Sequence, residues 1–201
     1  MNKQSAVALR RTILVAVALV ILIIVGYPSY EFISYQSLKD QCLGKIADHG
    51  RNVSIYFDKS DNGKIPVAFE NDLSQIPNVE KVSLTSSEDA LASFKQRHIN
   101  DPLTLQALKE LGTNPLGPSV TVTFSDFEKL KSSQDTILKQ IETLLAQSNL
   151  TATKIDSQVD AAERGLQTFK QKSFISDVAS GAYYAEKHIL ELCANQEDPT
   201  N

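Results

Sequence analysis

IPNVEKVSLTSSEDALASFK, residues Ile76–Lys95, passes within twenty positions from one structural period to another. Pro77-Asn78 breaks whatever precedes it. Val79, Val82 and Leu84 then place apolar side chains in an imperfect two-residue alternation, which predicts a strand. Thr85-Ser-Ser-Glu88 reads as a capping box that opens a helix carrying Ala90, Leu91 and Phe94 toward His98. A strand that feeds directly into a capped helix predicts an α+β class.

Working outward, Val53, Ile55 and Phe57 alternate with polar residues, so Asn52–Phe57 is an earlier strand. Asp58 to Gly63 is a turn cluster, and Pro66 can open a short helix presenting Phe69, Leu73 and Ile76. Downstream, Asp101-Pro102 starts a helix with Leu105, Leu108 and Leu111 on one face, closed by Gly112. Asn114–Pro118 is an irregular connection. Val120, Val122 and Phe124 form a third strand, Ser125-x-x-Glu128 caps a turn, and Ile137, Ile141, Leu144 and Leu145 mark an amphipathic helix. Thr153, Ile155, Ser157 and Val159 form a weaker fourth strand, with helix from about Ala161 to Ala194. Without the helical pair at 87–112, the order is βαββαβ, the ferredoxin-like arrangement. The pair is then an insertion outside the sheet's core. It must cover its own leucine face or offer it to a partner.

The N-terminal region is of another kind. No residue from Ile13 to Tyr27 is charged, while Lys3, Arg10 and Arg11 precede the run. That pattern predicts a single membrane crossing with the N-terminus in the cytoplasm and the residues from about 30 onward outside. The expected divisions are an anchor at 1–28, a juxtamembrane helix at 29–50, the α+β domain at 51–160 and a C-terminal helical region at 161–201. The run ends Ile-Ile-Val-Gly-Tyr-Pro, which lacks the small residues of a signal-peptidase site and favours an uncleaved anchor. Pro28-Ser29-Tyr30 after an apolar helix also fits a pilin-like, self-assembling structural subunit. Against that reading, no Gly-Phe processing site precedes the run and no Glu lies near its start.

The chain has 201 residues and a net charge of −4; the first 28 carry +3, which leaves −7 for the rest. An acidic exterior domain argues against nucleic acid and against a polybasic lipid-binding surface. Cys42 and Cys193 are the two cysteines. In an oxidising compartment they are a disulfide candidate; the alternative is two separate thiols. Tyr35, Leu38, Cys42 and Ile46 share a helical face. Ile175, Val178, Ala182, Ala185, Ile189 and Leu192 form a 3-4-3-4-3 seam expected to meet a partner helix.

Chemistry is sparse. His49, His98 and His188 are scattered, and neither a nucleophile elbow nor a P-loop occurs. The expectation is no catalytic residue, no metal and no cofactor. Asp58, Ser60, Asn62 and Gly63 fit the first half of a calcium loop, but its twelfth position holds Phe69 instead of Glu. Asn52-Val-Ser54 and Asn149-Leu-Thr151 are formal glycosylation sequons.

Two stretches carry a family resemblance: Ile76–Lys95 and Asn114-Pro-Leu-Gly-Pro-Ser-Val-Thr-Val122. In order and spacing, they resemble the extracytoplasmic domain of FtsX, the bacterial cell-division permease-like protein. That domain typically has a Pro-x-Val-x-x-Val strand, a capped helix with Ala-Leu and Phe, and an Asn-Pro-Leu-Pro segment before the next strand. The resemblance covers about residues 50–160. It implies a non-enzymatic module whose helical lobe binds a protein partner: the coiled coil of a cell-wall hydrolase or its activator, or other divisome proteins. The positions matching that role are Leu91, Phe94, Ile99, Leu103, Leu105, Leu108 and Leu111. Of these, Leu91, Leu108 and Leu111 suit the lobe's own small core, and Phe94, Ile99 and Leu103 suit its surface. The chain departs at Gly117, where Pro is usual, and lacks a later apolar run matching the three further membrane helices of FtsX-type proteins. The resemblance also implies a cytoplasmic partner ATPase, for which only about 11 residues precede the run.

Overall fold

The computed structural model describes residues 3–195, with the side chains at 3–12, 22–25, 27 and 195 outside the description. The chain divides into two compact units. One runs from Ile46 to Thr168. Among the described residues, the other joins 3–45 with 169–195.

In the 46–168 unit, strands β1 (Asn52–Phe57), β2 (Val79–Thr85), β3 (Ser119–Phe124) and β4 (Ala152–Ser157) form one sheet in the order β2-β3-β1-β4. All neighbouring strands are antiparallel. The register sets Val53 opposite Val122 and Ile55 opposite Val120. With a side-chain period of two, Val53, Ile55, Phe57, Val120, Val122 and Phe124 are buried along the two central strands. Helices α2 (Val67–Ser74) and α5 (Phe127–Gln147) supply Phe69, Leu73, Leu130, Ile137, Ile141 and Leu145 to the core. Each fully buried side chain of this size contributes about 1.5–3 kcal/mol.

Between β2 and β3 stand α3 (Ser87–Arg97) and α4 (Pro102–Glu110), so the inserted pair lies where the sequence places it. The imperfect alternation at 79–84 is a register shift between Val79 and Lys81 on an edge strand. Two caps fall one residue later than expected. Thr85 still pairs with Ser119, so Ser86 caps α3 and accepts from the Asp89 amide at 3.1 Å. The Ser125 amide is held by the Asn78 carbonyl at 2.8 Å, so Asp126 caps α5.

The N-terminal helix α1 runs from Lys3 to Gly50, and Pro28 lies inside it without ending it. The anchor stretch and the juxtamembrane stretch are parts of this one element. Among the described residues, no helix is long and apolar enough to cross a membrane. Five positions of the apolar run (22–25 and 27) lie outside the described side chains.

The expected C-terminal helix is three: α6 (Val159–Gln171), α7 (Phe174–Ala179) and α8 (Tyr183–Asn195). Ser173 starts α7 by accepting from the Ser176 amide, which separates it from α6. Cys42 and Cys193 are joined in a disulfide between α1 and α8.

The seam expected on these helices is inverted. Ile175, Val178, Ile189 and Leu192 are exposed, whereas Asp177, Tyr183, Leu190 and Ala194 are buried. The reason is helical phase. Tyr183, Lys187, Leu190 and Ala194 share one face of α8, and 185, 189 and 192 lie on the other side; Cys193, bonded to Cys42 of α1, stands at the edge of the buried face. Polar partners reinforce that face. The Tyr35 hydroxyl donates to Asp177, the Tyr183 hydroxyl donates to Glu31, Lys187 pairs with Glu31 at 2.8 Å, and Lys172 pairs with Glu186. Phe32, Tyr35, Phe174 and Tyr183 stack edge-on or tilted around them.

Candidate functional site

The lobe is rooted by the turn cluster at 58–63. Asp58 caps the short 3-10 turn Lys59–Asp61 by accepting from the Ser60 amide at 2.9 Å. These bonds hold the Asp58 carboxyl below its usual range. Asn62 then reaches the start of α3. Its amide donates to the Glu88 carboxylate at 3.0 Å, and its carbonyl accepts from the Ser87 amide at 3.2 Å. Asn114 closes the other side by donating to the Ser87 carbonyl at 2.7 Å. The residues that fit half a calcium loop therefore act as a hydrogen-bonded root for the lobe, and Phe69, at the loop's twelfth position, is fully buried in the core.

At the lobe's tip, Asp101 caps α4. It accepts from the Thr104 amide at 3.2 Å and from the Thr104 hydroxyl at 2.6 Å, which holds its carboxyl low. Pro102 occupies the first turn, where a missing amide costs nothing. The Phe94 ring lies 4.5 Å, centroid to centroid, from the ring of His98.

Between α3, α4 and the segment that follows is an apolar groove of about 350 Å³. Phe94, Thr104, Ala107, Leu108, Leu111, Pro115 and Leu116 line it. Of the positions picked out in the sequence, Phe94, Leu108 and Leu111 meet here. Leu91 and Leu105 are half-buried and do not line it. Ile99 and Leu103 stand on the surface near the α3–α4 connection, with Leu103 77% exposed. Leu111 is exposed as well as lining the groove, so it does not fill a lobe core.

Four lining residues escaped the sequence reading. Thr104 and Ala107 sit three or four positions from Leu108 and Leu111, so helical spacing could have found them. Pro115 and Leu116 come from an irregular segment whose path is set by Asn114, which also accepts from the Leu116 amide at 3.0 Å. No periodicity signals them. Among the described residues, no group of three or more His, Cys, Asp or Glu converges as a metal site would require.

Fold and site together define a four-stranded antiparallel α+β domain bearing a two-helix lobe with an unfilled apolar groove. Residues 51–145 match the family model of the FtsX extracellular domain, and this part of the chain is an FtsX extracellular-domain-like domain. The match runs from β1 into α5 and includes the whole lobe. That family is a non-catalytic, protein-interacting module of cell division, and it implies membrane association with an extracytoplasmic domain. Comparison with curated proteins gives no significant match.

Proposed function

We propose that this chain is a single-pass membrane protein whose extracytoplasmic domain docks or regulates a cell-wall hydrolase, or a coiled-coil activator of one, through the 87–112 lobe. Ile13–Tyr27 crosses the bilayer with Lys3, Arg10 and Arg11 on the cytoplasmic side. The strand order β2-β3-β1-β4 and the βαββαβ sequence support a ferredoxin-like reading of the sheet domain. One observation carries the functional reading: the apolar groove under Phe94, Leu108 and Leu111, with Ile99 and Leu103 standing exposed nearby. A helix laid into such a groove presents apolar anchors at i, i+3, i+4 and i+7, the pattern that a coiled-coil strand offers. Leu91 and Leu105 act as the lobe's inner support. Other divisome proteins that present a helix could use the same groove.

Replacing Phe94 and Leu103 with Glu places charge at the groove wall and at the exposed surface. In-cell crosslinking followed by capture should show at least a tenfold loss of partner, as expected when hot-spot contacts worth about 2 kcal/mol or more are removed. The thermal unfolding of the Leu103→Glu chain should stay unchanged, because that side chain is already exposed. Undiminished capture by the double variant would remove the lobe from the mechanism.

A further inference from the structure

The α7–α8 end of the unit formed with α1 wears its chemistry inside out. Every carboxylate of α7 and the first half of α8 is turned inward to a partner: Asp177 to Tyr35, and Glu186 to Lys172. On α1, Glu31 meets Tyr183 and Lys187 in the same way. Beside the buried Tyr183 and Leu190, several large apolar side chains point outward. Ile175 is 77% exposed, Tyr184 is 76% exposed, and Val178 is exposed beside them. A water-facing helix pair has the opposite pattern.

The level of this end along α1 gives the inversion a meaning. A helix rises about 1.5 Å per residue, so Glu31 stands about 6 Å beyond Tyr27, the last residue of the apolar run. The headgroup layer on each side of a bilayer is about 5–7 Å thick. Tyr183 bonds Glu31 directly, which sets the start of α8 at that level. Phe174 packs on Phe32, the residue after Glu31, and on Tyr35, and Asp177 accepts from the Tyr35 hydroxyl. Tyr30, on α1 itself, is exposed at the same height. Tyrosines with their rings toward hydrocarbon and hydroxyls toward water, flanked by aliphatic side chains, make up the chemistry of a membrane–water interface.

We propose that Tyr30, Ile175, Val178 and Tyr184 form an interfacial foot that seats the α7–α8 end in the outer headgroup layer of the bilayer. The proposal rests on the single-pass reading above. The ligand is the lipid interface itself, recognised by apolar and aromatic contact without a basic patch, as suits the acidic exterior part of the chain. Ile189 and Leu192 are exposed as well, but Ile189 lies five residues farther along α8 than Tyr184, about 7.5 Å higher and beyond headgroup reach.

The chain contains no tryptophan, so a single introduced one reports its own depth. Three full-length variants, Tyr184→Trp, Ile189→Trp and Val20→Trp, are reconstituted in phosphatidylcholine vesicles carrying spin labels at shallow or deep acyl positions. The Tyr184→Trp chain should be quenched about twice as strongly by the shallow label as by the deep one. The Ile189→Trp chain should be quenched by neither, and the Val20→Trp chain mainly by the deep label. If Val20→Trp is quenched as expected and Tyr184→Trp is not, the foot is overturned and the anchor stands. If Val20→Trp is quenched by neither label, the anchor reading fails and the foot falls with it. Blue-shifted, unquenched emission from both Tyr184→Trp and Ile189→Trp would assign the exposed residues to a second copy of the chain and overturn the proposal.

Discussion

Tyr35 is fully buried, and its hydroxyl donates to Asp177, 142 positions away in sequence. Burial and the nearby carboxylate push its pKa well above the ordinary tyrosine value, and Tyr183 is raised by burial and Glu31. A group whose pKa is higher in the folded state stabilises fully below the unfolded pKa, here about 10. That contribution is lost as pH rises from there toward the folded value, because the unfolded chain gives up its proton first. Lys187, raised by its hydrogen bond to Glu31, acts in the same sense. Stability of the α1–α7–α8 packing should therefore fall in alkali above about pH 10, and Tyr35→Phe should flatten that fall. Circular dichroism melts across the alkaline range test it; equal pH slopes for both chains would refute the assignment. Two glycines act at the same scale by close approach. A Cβ on Gly50 would meet the Ala162 Cβ at 2.5 Å and the Phe127 ring at 2.6 Å. A Cβ on Gly117 would sit 2.0 Å from the Phe57 carbonyl oxygen, so no side chain fits there unless the backbone shifts.

At the scale of elements, α8 depends on a covalent tie. The Cys42–Cys193 link spans 151 positions, and closing a loop of that size removes about 5 kcal/mol of unfolded-chain entropy in the simplest treatment. Reduction should leave α8 held only by its polar pairs and aromatic contacts. Hydrogen exchange of residues 183–195 should rise at least tenfold on reduction or in Cys193→Ser, while β1 and β3 keep their protection. Equal loss of protection in both regions would contradict the division into two units. The sequence shows the helical content here but not the break at Ser173, and its seam has the wrong face. Apolar spacing alone cannot weigh Asp177 and Tyr183 against Ile175 and Ile189 when the buried polar groups find partners more than a hundred residues away.

For the whole molecule, the 46–168 unit has its own sheet, core and lobe root. As a fragment it should unfold in one cooperative transition, with a Tm within about 5 °C of that of the same unit in the full chain. A molten fragment without a cooperative transition would mean that the α1 tether and the C-terminal helices are part of its fold.

By itself, the sequence determined the four strands, their order with the helices, the inserted lobe and the likeness of this region to a known extracellular domain. These follow from local periods of two and 3.6, from capping residues and from breakers, all of which act within a few positions. Tertiary structure alone decided which face of α7 and α8 turns inward, that Asn62 and Asn114 clamp the lobe's root, and that Pro115 and Leu116 complete its groove. Those outcomes depend on hydrogen bonds and packing between residues from 25 to more than 140 positions apart. The free energy of such contacts has no signature in local spacing, because it exists only once the chain has folded around both partners.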